Sequence, residues 1–283
     1  MAAISVDNAS RTSLNKFSVA TSDGSGTAVD LNTINAYTSE AADFATVTAV
    51  AASSSATITT LYTAAGNSEV TGLGNETISV NDTSLAAATL NTINGYSTGV
   101  VTATATTLTG SATDVVASYA AFTAGTLAGL NDEAVTITST SSAAADLNTI
   151  DTATSGVVTV NSTTITGAYA DVNAAYTANT AGTISGLGDE AVTLSGTNTV
   201  AQLNTIAGKT TGLVTATISD NDMSTLDGIT ESGHALTISV TDASVAAANL
   251  NTLDGKTTVA VGVTSTTITG AYADVNAAYT ANT

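Results

Sequence analysis

The side chains of this chain that could do chemistry are carboxylates, and they fall into two patterns. In the first, the string Gly-Leu-(Gly/Asn)-(Asn/Asp)-Glu begins at Gly72, Gly129 and Gly186 and ends on Asn75-Glu76, Asp132-Glu133 and Asp189-Glu190. Acids recurring at one point of stacked units would form a column with members about 10 Å apart, one per pair of strand layers. Oxygen-rich columns of that kind attract Ca²⁺. In the second, residues 217–234 gather Asp220, Asp222, Asp227 and Glu231 beside His234, the only histidine. These four also make a candidate calcium site. Each pattern has a competing structural reading. Asp132-Glu133 and Asp189-Glu190 can be polar turns ahead of Val135 and Val192, since the glycine-aspartate nonapeptide of calcium-binding β-rolls is missing. Asp222 can cap a helix starting at Met223, and Asp227-Gly228 can turn the chain. His234 is expected in a loop or at a strand edge.

Catalysis has little to work with. A hydrolytic centre needs a nucleophile, a base and a group that orients the base. One histidine, no cysteine and no carboxylate pair that stands apart from its repeats supply none of these, so the chain reads as a non-enzyme. Thr-x-Thr triplets recur at Thr57/Thr59, Thr102/Thr104, Thr136/Thr138, Thr164/Thr166, Thr215/Thr217 and Thr267/Thr269. Flat columns of such pairs are how ice-binding solenoids present hydroxyls. Ordinary strand alternation explains them too, and their differing places in the repeat argue that they do not align.

The elements that position these residues follow from a repeat. Ser-Thr-Thr-Ile-Thr-Gly-Ala-Tyr-Ala-Asp-Val-Asn-Ala-Ala-Tyr-Thr-Ala-Asn-Thr occupies 162–180 and again 265–283. Leu-Asn-Thr marks Leu31, Leu90, Leu147, Leu203 and Leu250, and a tyrosine marks Tyr62, Tyr119 and Tyr176. The tyrosines and the Gly-Leu string share one period of 57 residues. Each period halves again, because Ala-Asp-Leu-Asn-Thr-Ile-Asp at 145–151 resembles Ala-Asp-Val-Asn-Ala-Ala-Tyr at 170–176. Val135-Thr136-Ile137-Thr138 and Thr237-Ile238-Ser239-Val240 alternate as strands do. Ala143, Leu147 and Ile150 share one face of a short helix, with Ser141 or Ser142 able to cap it and Gly95, Gly208 and Gly255 closing its sister copies. Tyr169, Val172 and Tyr176 share the face of a second helix. Proline is absent, as a backbone ladder running between layers requires.

The fold class expected is therefore an α/β solenoid of about ten stacked rungs, each of roughly 25–32 residues with short parallel strands and a short helix. An all-β parallel β-helix is the alternative. One solenoid spans 1–283, with long units at 21–77, 78–134, 135–191, a shortened 192–235 and a truncated 236–283. Residues 1–20 form a partial first rung, since Ile4-Ser5-Val6-Asp7-Asn8 echoes Ile78-Ser79-Val80-Asn81-Asp82.

Composition narrows the partners. Lys plus Arg is 4 against 23 Asp plus Glu, a formal charge of −19, which excludes nucleic acid and anionic membrane as binding surfaces. Only 10% of residues are charged, and 59 threonines make the exterior a hydroxyl surface. No run is long enough to insert into a membrane, and the first residues show no signal peptide. The chain is then intracellular, exported without a cleaved N-terminal signal, or a piece of something longer.

Ala-Ala-Asp-Leu-Asn-Thr-Ile-Asp, Thr-Thr-Ile-Thr-Gly-x-Tyr-Ala-Asp-Val and Gly-Leu-Gly-Asp-Glu-Ala-Val-Thr-Leu resemble the tandem repeats of giant secreted or cell-surface bacterial proteins, notably of marine cyanobacteria, described as adhesin-like or haemolysin-like. The resemblance covers nearly the whole chain. It implies export without a cleaved signal into a calcium-rich exterior. The function expected is a structural spacer, filament or surface-layer-like segment that associates with itself end to end or laterally. The alternatives are an adhesin module for surface polysaccharide or calcium-bridged surfaces, and an ice-binding solenoid. The adhesin needs an exposed aromatic row. Tyr119, Tyr176 and Tyr279 could supply one, but their phase with Val172 and Val275 turns them inward.

Overall fold

The computed structural model describes residues 18–281. The echo at Ile4–Asn8 and nearly all of the partial first rung lie outside these residues. Short strands and short helices alternate throughout, and the strand pairings described are parallel. The chain is thus built from repeated strand–helix units in parallel sheets, as the sequence pattern requires. Its helices remove the all-β alternative. The fold divides into two compact units.

The first unit runs to Thr136 and includes Ala153–Gly156. Strands Ser25–Thr27, Ala49–Ser53, Thr77–Val80, Val101–Ala103 and Leu127–Ala128 lie side by side in chain order. Ala42–Asp43 pairs with Val70–Thr71, and Ser84–Ala86 with Thr107–Gly110. Its helices are α1 (Ala28–Asn35), α2 (Ser55–Gly66), α3 (Ala87–Asn94) and α4 (Ala112–Thr123).

The second unit comprises Ile137–Thr152 and the chain from Val157 onward. Ser141–Ala143, Thr164–Gly167, Ala191–Asn198, Val214–Ile218 and Ala235–Thr237 form its largest sheet. Val158–Val160 pairs with Ile184–Ser185, Ser239–Val240 with Gly262–Val263, and Ser244–Ala246 with Thr267–Thr269. Its helices are α5 (Ala144–Ala153, entering the first unit by its last residue), α6 (Tyr169–Ala181), α7 (Val200–Ala207), α8 (Met223–Leu226), α9 (Ala247–Asp254) and α10 (Tyr272–Ala281).

The Leu-Asn-Thr motif divides its work among three residues. Leu31, Leu90, Leu147, Leu203 and Leu250 are all buried, each stabilising its rung by about 1.5–3 kcal/mol. The asparagine reaches across to the next helical rung: Asn32 Nδ2 donates to Thr57 O at 2.9 Å, Asn91 to Asp114 O at 2.9 Å, Asn148 to Asp171 O at 3.0 Å and Asn251 to Asp274 O at 3.0 Å. In the shortened rung Asn204 donates instead to Gly228 O at 2.8 Å. The threonine folds back on its own helix, as Thr149 Oγ1 does onto Ala145 O at 2.8 Å. One residue packs, one ties layers together, and one satisfies a local carbonyl.

Helix starts are tied across layers as well. Ser55 N donates to Asp82 Oδ2 at 2.6 Å, Val200 N to Asp220 Oδ2 at 2.7 Å and Met223 N to Asp242 Oδ2 at 2.8 Å. A carboxylate at the positive end of a helix takes an orphan N–H and favours the dipole. Helices this short would not persist alone, so such ties and the shared core hold them.

Some expected details are corrected. α5 begins at Ala144, after a strand that contains Ser141 and Ser142; Ser142 Oγ lies 2.9 Å from Ser139 Oγ and 2.7 Å from Ser162 Oγ and does not cap the helix. Gly95, Gly208 and Gly255 do end their helices, but in right-handed geometry (φ −80°, −74° and −65°). Thr57 and Thr59 lie in α2, not in a strand. Threonines also align more than expected, with Thr166 beside Thr193 and Thr193 beside Thr215, then Thr197 beside Thr217 and Thr217 beside Thr237.

Candidate functional site

The most concentrated chemistry is a buried tyrosine–glutamate pair that occurs three times. Tyr62 donates its hydroxyl to Glu76 Oε1, Tyr119 to Glu133 Oε1 and Tyr176 to Glu190 Oε1, always 14 residues apart. The tyrosines come from α2, α4 and α6, and are 7%, 4% and 2% exposed; the glutamates are 0%, 1% and 3% exposed. The second carboxylate oxygen accepts two backbone N–H groups from the turn before it: Gly74 and Asn75 at 2.7 and 3.0 Å, Asn131 and Asp132 at 2.9 and 3.2 Å, Gly188 and Asp189 at 2.8 and 3.2 Å. An ionised carboxylate only accepts, and each is met by three donors. Burial, then the hydrogen bond and negative charge of Glu133, push the Tyr119 hydroxyl far above the usual phenol range. Tyr119 therefore stays protonated and remains a donor.

The glutamate's backbone is clamped too. Ser97 Oγ donates to Glu76 O at 2.6 Å, Thr154 Oγ1 to Glu133 O at 2.7 Å and Thr210 Oγ1 to Glu190 O at 2.7 Å. Each of these hydroxyls accepts from a glycine N–H two residues on: Gly99, Gly156 and Gly212. A Cβ on those glycines would stand 2.2–2.3 Å from the glutamate carbonyl oxygen, so only glycine fits. Gly186 is needed for two reasons: its φ is +87°, and a Cβ there would lie 2.4 Å from Val160 O.

The shortened rung reveals the logic by departing from it. Thr257 Oγ1 donates to Leu236 O at 2.9 Å, the role Thr154 and Thr210 play for Glu133 and Glu190. The glutamate position is thus held by Leu236, fully buried, in the rung whose helix has no tyrosine. Without its phenol, the buried carboxylate gives way to an apolar side chain.

His234 lies at a strand edge, one of the two places expected of it, bridging to Thr257 just ahead of Ala235–Thr237; it is 8% exposed, and its Nδ1 accepts the N–H of Val214 at 3.2 Å. In longer rungs the equivalent N–H groups of Val101 and Val158 go to the carbonyls of Thr126 and Thr183. The imidazole replaces a carbonyl that the shorter chain does not provide. Burial pushes its pKa down, with Glu231 opposing, so the ring is held neutral and Nδ1 free to accept.

The expected calcium residues are dispersed among these roles. Glu133 and Glu190 face inward on tyrosines, so the bare column expected of them is not formed. Asp132 and Asp189 lie exposed beside them. Asp220 caps α7. Asp222 accepts from Thr225 N at 3.0 Å and from the Ser224 and Thr225 hydroxyls, which hold its carboxyl below the ordinary value. Asp227 closes α8, and Glu231 is exposed. Among the described residues no group of three or more His, Cys, Asp or Glu is placed to hold a metal ion. A wide groove of about 820 Å³ beside α1 and α2 contains Glu40 and Glu69 as its ionisable groups, apart from every tyrosine–glutamate pair. Also among the described residues, no helix is long and apolar enough to cross a membrane.

Compared with family models, curated proteins and solved structures, the chain matches none.

The tyrosine–glutamate link escapes a sequence reading that treats its halves as separate markers. Their constant separation of 14 residues is the signal that could have joined them.

Proposed function

We propose that this chain is a non-enzymatic structural repeat module, a spacer built of stacked strand–helix rungs, which works outside the cell. One observation carries this reading. The polar side chains that recur with the period (the Leu-Asn-Thr asparagines, the tyrosine–glutamate pairs and their Ser/Thr clamps) are engaged inside or between rungs, and none of them converges on an open site. Repetition here serves length. An adhesin would need an exposed aromatic row; of Tyr119, Tyr176 and Tyr279 the first two are buried and Tyr279, against the inward phase expected of it, is 62% exposed, which leaves a single ring and no row. The extracellular setting rests on the resemblance of the repeat motifs.

The test is a deletion in phase with the repeat. Removing residues 76–132 joins Asn75 to Glu133 and preserves the Gly-Leu-Gly-Asn-Glu string. A solenoid spacer should still unfold cooperatively, and its maximum dimension in small-angle X-ray scattering should fall by about 10 Å, two strand layers. A product of undiminished length, or one that cannot fold, would show that the units are not interchangeable layers.

A further inference from the structure

We propose that the groove between α1 and α2 is a binding site for a neutral saccharide, a function separate from the spacer role.

The groove lies where the repeat is broken. Val101 stands 11 residues after Leu90 and Val214 stands 11 after Leu203, but Val50 stands 19 after Leu31. Val50 and Val101 hold equivalent places, each in register with Ile78 in the strand between them. The added stretch follows α1, and Thr38, Ser39, Glu40 and Ala41 from it line the groove. α1 contributes Asn35 and Ala36, on the side from which Asn32 bonds Thr57 O. The groove is therefore set between two adjoining layers of the first unit. Its other wall is the outer face of α2, where Thr60, Thr63 and Asn67 are exposed. Residues that recur with the period serve length; these extra ones do not recur.

Its lining selects the ligand by being rich in acceptors. Thr59, Thr60 and Thr63 donate their hydroxyl protons to the carbonyls of Ser55, Ala56 and Thr59 at 2.8, 3.0 and 2.8 Å. What they turn outward is oxygen lone pairs. Glu40 and Glu69 add carboxylates, and among the described residues no Lys, Arg or His lines the groove. Anions are therefore repelled. The apolar lining is alanine methyls alone, so a hydrophobic ligand gains little. The occupant must bring many donors and no negative charge. It must also suit about 820 Å³, a volume in the range of organic ligands. A bare divalent cation needs several oxygens at about 2.3–2.6 Å, and no three acidic or histidine side chains among the described residues are gathered for one. A sugar meets these demands with a ring of hydroxyls. Tyr37, 63% exposed, sits in the added stretch between two lining residues, Ala36 and Thr38. It puts an aromatic ring at the rim, an apolar platform for the C–H side of a sugar.

The experiment is amide NMR of the 283-residue chain, titrated with neutral tetrasaccharides of glucose, mannose, galactose and N-acetylglucosamine, each to about 10 mM. Expected is a saturable shift of amides at 38–40 and 63–69 by at least one of them, with a Kd of about 1 mM or tighter. A tetrasaccharide of galacturonic acid should produce none. Thr63→Val and Tyr37→Ala should each weaken binding at least about fivefold, with unchanged circular dichroism because both positions are exposed. Thr177→Val, at the matching place in α6, should leave binding unaltered. Ca²⁺ alone is the second arm: shifts at Glu40 and Glu69 from Ca²⁺, with none from any saccharide, would overturn the sugar in favour of an ion. No saccharide shift at the highest concentration overturns the site. Shifts elsewhere, or shifts indifferent to both Thr63→Val and Tyr37→Ala, overturn the placement. None of these outcomes bears on the scattering test of the spacer.

Discussion

Ser162–Tyr176 and Ser265–Tyr279 have one sequence and the same strand and helix, yet they stand in different company. On the side of the preceding rung the two match: a Cβ placed on Gly167 would lie 3.5 Å from the Ala144 methyl and one on Gly270 3.4 Å from that of Ala247, and the asparagine tie reaches Asp171 and Asp274 at 3.0 Å. On the other side Tyr176 meets Glu190, while Tyr279 stands in the open. Even the opening serines differ. Ser162 Oγ donates to Ser139 O, whereas Ser265 Oγ is buried without a partner beside a strand that carries Val245 where the other has Ser142. Local structure thus follows from the segment and the layer before it; burial and polar satisfaction come from the layer after it.

Substitution in both copies breaks this comparison apart. Ile165→Ala should cost about 2–5 kcal/mol by leaving a cavity in the covered rung, and Ile268→Ala well under half as much in the uncovered one. Chemical denaturation of the two variants checks this, and equal losses would mean that the second face is also covered. Tyr176→Phe leaves the buried carboxylate of Glu190 with its two backbone donors alone and should cost about 2–3 kcal/mol. Tyr279→Phe should stay within about 0.5 kcal/mol. Adding Glu190→Leu to Tyr176→Phe should recover much of the loss, since Leu236 is the solution the shortened rung already uses; a double-mutant cycle measures the recovery. Asn148→Ala and Asn251→Ala supply the opposite control. Both ties point to a rung present in each copy, so each should cost about 1 kcal/mol.

Legibility in the sequence follows the same division. The period, the parallel strand–helix units and the short helices can be read directly, because Leu147 and Ile150 or Val135 and Ile137 declare their own faces. The cap at Asp222 is legible for the same reason, being a contact across three residues. Glu133 and Glu190 mislead because Gly-Leu-Gly-Asp-Glu has the composition of a solvent turn, and what buries the glutamate is a phenol on another element. His234 falls at a strand edge as its sequence context allows, but its partner is not legible there: the Val214 N–H is freed by a deletion in the rung and not by any feature of the residues beside the histidine.

Two smaller effects complete the series. The folded-state pKa of His234 is lowered, so the unfolded chain binds the proton more readily. The stability this residue contributes is present above the unfolded value of about 6.5 and is lost as pH falls from there through the lowered folded value. Melting curves between about pH 7.5 and pH 5.5 should show the decline, and His234→Gln, whose amide oxygen can still accept from Val214, should flatten it. Calcium should matter least. With Glu133 and Glu190 turned onto tyrosines and Asp220 and Asp222 capping helices, the melting temperature should differ by less than about 2 °C between chelator and millimolar Ca²⁺. A larger rise would assign the exposed Asp132, Asp189 and Glu231 a binding role.

The fixed separation of Tyr119 and Glu133 also bears on how the chain acquires its order. A tyrosine reaches its acceptor after only 14 further residues have arrived, and the asparagine ties to the next helix close within 23 to 25. Contacts this near in sequence make for low contact order and quick closure. A chain emerging lengthwise, from a ribosome or through a narrow channel, can therefore set one layer before the next appears, with no need to hold its far end in waiting.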